Sequence, residues 1–372
     1  MLAGTLGQGG AEKQLVYIAR ALNQAGAQIQ IYCLTKGEYY EVVLKDEGIS
    51  PVWIGKHQNP LLRSITFTSA LHAFRPHILQ SAHFYTNLYA AVAAPFYRSI
   101  GIGSIRGDTN EAVKYNGIWG KYLLCTPEFI VSNSLTAKQT AISLGVREDR
   151  VFVLPNVIDL IIFDQEYRKS LPLPFPVLKI DRQVNVIMVG SLIPVKRFDR
   201  FLLALQKARE SFPALSGFIV GDGPERARLE SLASELGLIP DGVHFLGRND
   251  HVPAILRQAD IFVLTSDHEG FPNVILEAMA AQLPVITMPA GDSGIVVEDG
   301  ITGYVVPFED VDRLSSLMVH LAKSPELHQQ LGLAGRKKVE QQYSYSLLGD
   351  HLLQIYKAIA IQNGNSRILN AL

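Results

Sequence analysis

The sequence predicts two doubly wound α/β domains, and three observations carry that expectation. Short buried-strand runs alternate with helical patterns along almost the whole chain, the mark of parallel sheets built from βαβ units. At 372 residues the chain has the length of two ordinary domains, and its 48% hydrophobic and 19% charged content suits a well-buried globular protein. A stretch over 171–183, with Pro172, Pro174 and Pro176, reads as a stiff linker between a first domain over 1–170 and a second over 184–342.

Composition also excludes function classes. A formal net charge of −1 lacks the basic footprint of a nucleic-acid binder. Two cysteines, Cys33 and Cys125, give neither a disulfide framework nor a metal cluster, so a reducing cytoplasm is the expected setting. No uninterrupted apolar run of about 18 residues exists and no charged segment followed by an apolar core opens the chain, so neither a membrane span nor a signal peptide is expected.

Taken in order, Met1–Lys13 places Gly7, Gly9 and Gly10 in a loop before a helix over 11–25, where Leu15, Ile18, Ala19 and Leu22 recur at helical spacing. Only about four residues precede that loop, too few for an ordinary strand. The expectation is a truncated first strand and a native product that starts upstream. Strands over 28–34 and 78–81 flank a helix over 68–74. His83 follows the second strand at its carboxyl end, where open α/β sheets bind ligands. The segment 102–110 ends another strand and carries Arg106, which either clamps an anionic ligand or pairs with Asp108 or Glu111. Lys114–Tyr122 mixes aromatic and basic residues. A half-buried helix against the sheet is the preferred reading, and contact with a membrane surface or a lipid the alternative. Strands over 129–131 and 151–154 follow, with Ser132-Asn133-Ser134 offering a helix cap.

The second domain opens with a strand over 184–189 and a turn bearing Lys196 and Arg197 ahead of a helix over 200–209. Two cations at a helix N-terminus oppose its dipole, which points to an anionic ligand. Strand 217–220 runs into Gly221-Asp222-Gly223-Pro224, and strand 243–246 into Gly247-Arg248. The most informative stretch is Ile261–Ala280, a buried strand, a polar loop, the turn Gly270–Asn273 and a helix. Glu269 and Glu277, eight apart, bracket the turn. Helical side chains lean toward the N-terminus, so both acids can face one pocket beside free N–H groups suited to a diphosphate. A buried strand over 283–286 and a loop of small residues over 288–294 come next. Asp310-Val311-Asp312 reads as a helix cap rather than a metal triplet, and 343–361 as a long amphipathic helix.

The phrase E-G-F-P-N-V-I-L-E-A-M-A-A, followed by a buried strand, resembles the donor-site signature of retaining, GT-B-fold glycosyltransferases of the family-four (glycosyl transferases group 1) type. The likeness covers nearly the whole chain and is strongest over 184–307. It implies a GT-B architecture of two Rossmann-like domains facing a cleft, with helix 343–361 returning to the first. It places Glu269 near the transferred sugar and Glu277 on the ribose. Gly9 and Gly10, in G-G-A-E, would close over the donor diphosphate. Lys196 matches the phosphate-binding pattern G-R-L-x-x-x-K-G, with Ser191 at the Arg position and Arg197 at the Gly position. Both cations are read as stabilising the leaving diphosphate. Gly221, Gly223, Arg248, Phe271 and Asn273 are read as donor contacts, His83 and Arg106 as acceptor-side residues. Val157 stands where the family's P-N-G-I-D turn has Gly, which makes a left-handed turn uncomfortable there.

The implied activity moves a sugar from a nucleotide sugar to a saccharide or lipid-linked acceptor. It retains configuration, uses no metal or cofactor, and serves polysaccharide or glycolipid synthesis. The expected place is the cytoplasm, with peripheral contact at the inner face of the cell membrane. The alternatives are an epimerase or hydrolase of sugar nucleotides with the same architecture, and a non-catalytic homologue.

Overall fold

The structure, a computed structural model, describes residues 1–57, 59–168 and 183–369. The expected linker lies outside these apart from Gln183. The chain divides into two units, Met1–Val157 with Tyr345–Leu372, and Ile158–Ser344.

The first unit holds strands β1 (Leu2–Ala3), β2 (Tyr32–Cys33), β3 (Val52–Trp53), β4 (Ile78–Gln80), β5 (Ile100–Ile105), β6 (Phe129–Ser132) and β7 (Val151–Val153). All pairings are parallel, in the runs β1-β2-β3 and β4-β5-β6-β7. A parallel bridge from Leu2 to Ser81 joins them, with the Ala82 amide donating to the Leu2 carbonyl at 2.8 Å. The order is therefore 3-2-1-4-5-6-7, and its direction reverses between β1 and β4. Ligands bind at such reversals, outside the carboxyl ends of the strands. Two residues thus occupy the central position for which a longer strand was expected. Tyr32 donates to the Met1 carbonyl and Leu34 to that of Ala3, and Leu2 is fully buried.

Local chemistry explains where elements depart from expectation. The helix Pro60–Phe74 begins earlier than residue 68 because Asn59 caps it, accepting from the Leu61 amide, with Pro at the first position. Val157 is not left-handed: its amide and carbonyl are both held by the buried side chain of Gln14. The C-terminal helix is Leu348–Asn363, and Leu348, Leu352, Tyr356 and Ile359 join Ile100, Ile102, Phe129 and Val131 in the core of this unit. The segment Lys114–Tyr122 corrects the preferred reading. Its aromatic residues are not half-buried, because the chain turns through Thr109–Tyr115, Gly117–Trp119 and Gly120–Cys125 and leaves Tyr115, Trp119 and Tyr122 exposed.

The second unit holds β8 (Val184–Val189), β9 (Leu215–Val220), β10 (Val243–Gly247), β11 (Ile261–Leu264), β12 (Val285–Thr287) and β13 (Gly303–Val305). They form one parallel sheet in the order β10-β9-β8-β11-β12-β13, reversing between β8 and β11. Every residue of β11 is buried, as its unbroken apolar run requires. Asp310 caps the helix Val311–Ala322 by accepting from the Arg313 amide. The boundary between units falls at Val157, not at residue 170. The helix Leu160–Arg168 buries Phe163 in the second unit's core, and Asp164 holds Arg336 through two hydrogen bonds of 2.7 and 2.9 Å. That paired contact fixes the helix where its apolar face is covered.

Candidate active site

In the second unit the reversal between β8 and β11 brings the two sequence segments together. Lys196 ends the short turn Pro194–Lys196 after β8, and Glu269 ends the loop after β11. Lys196 Nζ donates to Glu269 Oε1 at 2.6 Å, and Ser266 Oγ donates to the same oxygen at 2.7 Å. The two charged side chains are 22% and 10% exposed, so the pair is shielded yet open to a ligand. Thr265 Oγ1 hydrogen-bonds the carbonyls of Lys196 and Arg197 at 3.1 and 2.8 Å, which pins the turn to the loop.

Arg197, next to Lys196, is held by carboxylates of its own helix start and of the loop after β11. Its backbone is left-handed, and its guanidinium donates to Asp199 through Nε and Nη2, each at 3.0 Å, and to Asp267 through Nη1 at 3.2 Å. The hydrogen bonds with Asp199 hold its pKa above the ordinary arginine value. Asp267 also takes Arg200 Nη1 at 2.5 Å, and Arg200 is buried. Arg197 therefore has Asp199 to itself and shares Asp267 with Arg200, and Asp199 also lies in the first turn of the helix. Sequence reasoning missed Ser266, Asp267 and Asp199; only Asp199, two residues from Arg197 at a helix start, left a local signal.

The glycines have a backbone reason of their own. A Cβ on Gly221, at φ 147°, would stand 1.8 Å from the Gly190 carbonyl oxygen, and one on Gly223 2.5 Å from that of Leu192. The loops after β8 and β9 pack this closely because Leu192 donates to Asp222 and Glu225 donates to Leu192. Gly291, at φ 55°, lies against the Glu269 carbonyl, where a Cβ would be 2.2 Å away. The small-residue loop thus buttresses the backbone that carries Glu269. Phe271 is buried with its ring edge-on to Tyr343 at 5.4 Å, a packing role for the side chain. Pro272 is the N-cap of the helix Asn273–Ala280, which bears the half-buried Glu277. Arg248 is exposed just past β10.

In the first unit Gly9 is the N-cap of the helix Gly10–Gln24, and a Cβ there would meet Glu12 Oε2 at 2.3 Å. Glu12 reaches His83 Nε2 at 3.1 Å while the Gly4 amide donates to His83 Nδ1 at 3.1 Å. Nδ1 therefore accepts and Nε2–H donates, so both ring nitrogens are engaged and His83 is a fixed part of the wall. Arg106 donates to Ser104 and Asn156, at 3.2 and 3.5 Å. The alternative pairing with Asp108 or Glu111 is not what forms: Asp108 caps its own helix and Glu111 faces Lys114. Burial pushes the Arg106 pKa down to about 10.

The glycine loop is tied by a residue the sequence did not flag. Glu38 accepts from Thr5 Oγ1 at 2.8 Å, from Thr35 Oγ1 at 2.5 Å and from the Leu6 amide. Burial alone would raise its pKa, but these hydrogen bonds outweigh it and leave the value below the ordinary 4.5. A depressed carboxylate contributes stability that is present above 4.5 and lost as pH falls through the lower folded value. Amide exchange at Thr5–Gly7 should therefore be slower in wild type than in Glu38→Gln at neutral pH, and the gap should close below that window. A pH-independent gap would reject the tie.

Similarity to known proteins agrees with this fold. Residues 173–338 match the family model described as glycosyl transferases group 1, and residues 8–161 match glycosyltransferase family 4. Each model covers a little under half of the chain, and both describe glycosyltransferases. It is 31% identical over 183 residues to N-acetyl-alpha-D-glucosaminyl L-malate synthase of Bacillus anthracis, a match covering 49% of this chain and 48% of that protein. It is 25% identical over 364 residues to the lipopolysaccharide core biosynthesis glycosyltransferase LpsD of Rhizobium meliloti, covering 94% and 95%. Several of the curated relatives, the Bacillus protein among them, are thus matched over about half their own length. Among solved structures, HepE of Anabaena in complex with UDP superposes with a TM-score of 0.81 at 18% identity, covering 95% of this chain and 98% of that one. The fold is therefore GT-B.

Proposed function

We propose that the chain transfers a sugar from a nucleotide-sugar donor to a saccharide or lipid-linked acceptor at a membrane surface, with retention of configuration and without a metal. The observation that carries this is the shielded Lys196–Glu269 pair at the strand reversal of the second unit. HepE was also crystallised with UDP-glucose, which makes a uridine diphosphate sugar the first donor to try.

The steps follow from the side chains. The sugar C1–oxygen bond to the diphosphate breaks as the acceptor oxygen bonds to C1 on the same face, and the acceptor proton passes to the leaving phosphate oxygen. Lys196 carries three N–H donors, of which one serves Glu269, so others remain to meet the developing phosphate charge. Glu269 positions the sugar and supports positive charge at C1. Glu277 suits two vicinal ribose hydroxyls. Arg197 is left out, because Asp199 and Asp267 already hold its charge.

The test incubates the protein with a panel of nucleotide sugars and candidate acceptors and follows products by mass spectrometry, with and without EDTA. The expected result is acceptor-dependent release of nucleotide, unchanged by EDTA, with a product of retained configuration. Donor turnover without acceptor would favour the epimerase or hydrolase reading. Activity abolished by EDTA would overturn metal independence.

A further inference from the structure

Arg200 lies in the first turn of the helix Phe198–Ser211, and its side chain is 4% exposed. From there it reaches segments that follow three neighbouring strands. Nη1 donates to the Thr265 carbonyl at 3.3 Å and to Asp267 Oδ1 at 2.5 Å, both in the loop after β11. Nη1 also lies 3.6 Å from Met288 Sδ, directly past β12, and Nη2 donates to Glu309 Oε1 at 3.3 Å in the loop after β13. For stability alone this arginine is badly placed. A cation in the first turn opposes the helix dipole, burial strips its water, and its Nε–H is buried with no acceptor among the described residues. An apolar side chain of similar length would fill the space without these costs.

What Arg200 supplies is spacing between two segments. It shares one segment with Lys196, its amide donating to the Arg197 carbonyl at 3.0 Å, while Asp267 shares the other with Ser266 and Glu269. The Arg200–Asp267 contact thus runs beside the Lys196–Glu269 contact as a second tie between the same two segments. The Asp267 amide, donating to the Val195 carbonyl at 2.9 Å, adds a backbone link to it. A substrate competes for both Lys196 and Glu269, so their mutual hydrogen bond alone is a soft ruler. A buried fork with several fixed acceptors is a stiff one. We propose that Arg200 is a positioning residue, which keeps the segment of Lys196 in register with the loop of Glu269 while both side chains engage the substrate. The inference rests on the transfer reading above for what the pair does, and on the buried contacts alone for how the pair is held.

The test compares the full chain with Arg200→Met, Arg200→Lys and Glu309→Gln. Lysine keeps the charge, but its single ammonium cannot serve Thr265, Asp267 and Glu309 at once. Glu309 is 79% exposed, so its variant weakens one anchor without disturbing the interior. The first readout needs no turnover: acetylation by acetic anhydride, mapped by mass spectrometry, with buried Lys338 as the reference for general loosening. Lys196 should react several-fold faster than in wild type in Arg200→Met, less so in Arg200→Lys and least in Glu309→Gln, while Lys338 keeps its wild-type rate. The second readout is steady-state kinetics on the best donor of the panel, normalised to folded protein. In Arg200→Met kcat should fall about tenfold or more, with a smaller change in the donor KM, because misplacing reacting groups by about 1 Å can cost as much as a hundredfold. Unchanged Lys196 labelling, or equal acceleration at Lys338, would overturn the positioning role, and so would a lower melting temperature with unaltered kcat. Should Arg200→Met fail to fold, the other two variants decide by the same criteria. A wild type that turns over no donor yet shows the labelling pattern would sink the transfer reading and leave this one standing.

Discussion

Lys196→Ala should lower kcat at least tenfold and toward the hundredfold typical of losing one preorganised donor at a developing oxyanion. The side chain lies at the carboxyl end of the sheet's reversal, shielded with Glu269 and held in place by the Thr265 contacts to its turn. A charge in such a site needs no reorganisation when the phosphate leaves, which is why its loss should appear in kcat more than in KM. The substitution also leaves the Glu269 carboxylate with Ser266 as a remaining donor, so a loss of about 1–3 kcal/mol in stability accompanies it. Lys196→Arg keeps the charge and should recover part of the rate. Arg197→Ala makes the contrast: it should disturb stability, through Asp199 and Asp267, more than turnover. The measurement is steady-state kinetics on the best donor of the panel, with thermal melts alongside. An unchanged kcat for Lys196→Ala would remove Lys196 from the chemistry.

Gly221→Ala should destabilise the second unit by about 3 kcal/mol or more, combining roughly 1–3 kcal/mol of backbone strain with an overpacking cost of similar size. The residue sits at φ 147°, and the added methyl would lie 1.8 Å from a backbone carbonyl that cannot move without parting β8 from β9. A fall in melting temperature of roughly 10 °C is expected for a unit of this size. Gly107→Ala is the control, since its Cβ would meet nothing within 4 Å and its φ is unexceptional. Calorimetry without donor decides the matter. If Gly221→Ala melts like the wild type and only nucleotide binding suffers, this glycine serves the ligand rather than the packing of the two loops.

Much of this architecture was legible in the residues because it rests on local periodicity. The run Ile261–Leu264 and the helix after Pro272 announce a strand–loop–helix unit, and parallel sheets built from such units place their loops at one edge. Lys196 and Glu269 were each recognisable from that edge. What could not be read was pairing across the fold. Asp267 meets Arg197 across seventy positions of sequence, so nothing near Arg197 but Asp199 hinted that its charge was already matched. Exposure of Tyr115, Trp119 and Tyr122 was hidden for a related reason: helical spacing tells which residues share a face, not whether anything covers it. The helix Leu160–Arg168 looks like the end of the first domain in sequence, yet Phe163 and Asp164 find their partners in the second.

The helix Leu348–Asn363 has a consequence for biosynthesis. The second unit is one continuous stretch, complete once residue 344 has been made, whereas the first waits for its closing helix at the far end of the chain. On the ribosome the usual order, amino-terminal part first, is therefore reversed in its final step. Until Leu348, Leu352 and Ile359 arrive, Ile100, Ile102 and Phe129 stay uncovered. A released chain truncated after residue 344 should be a preferred client of chaperones that recognise unprotected apolar surface, with its later half already native.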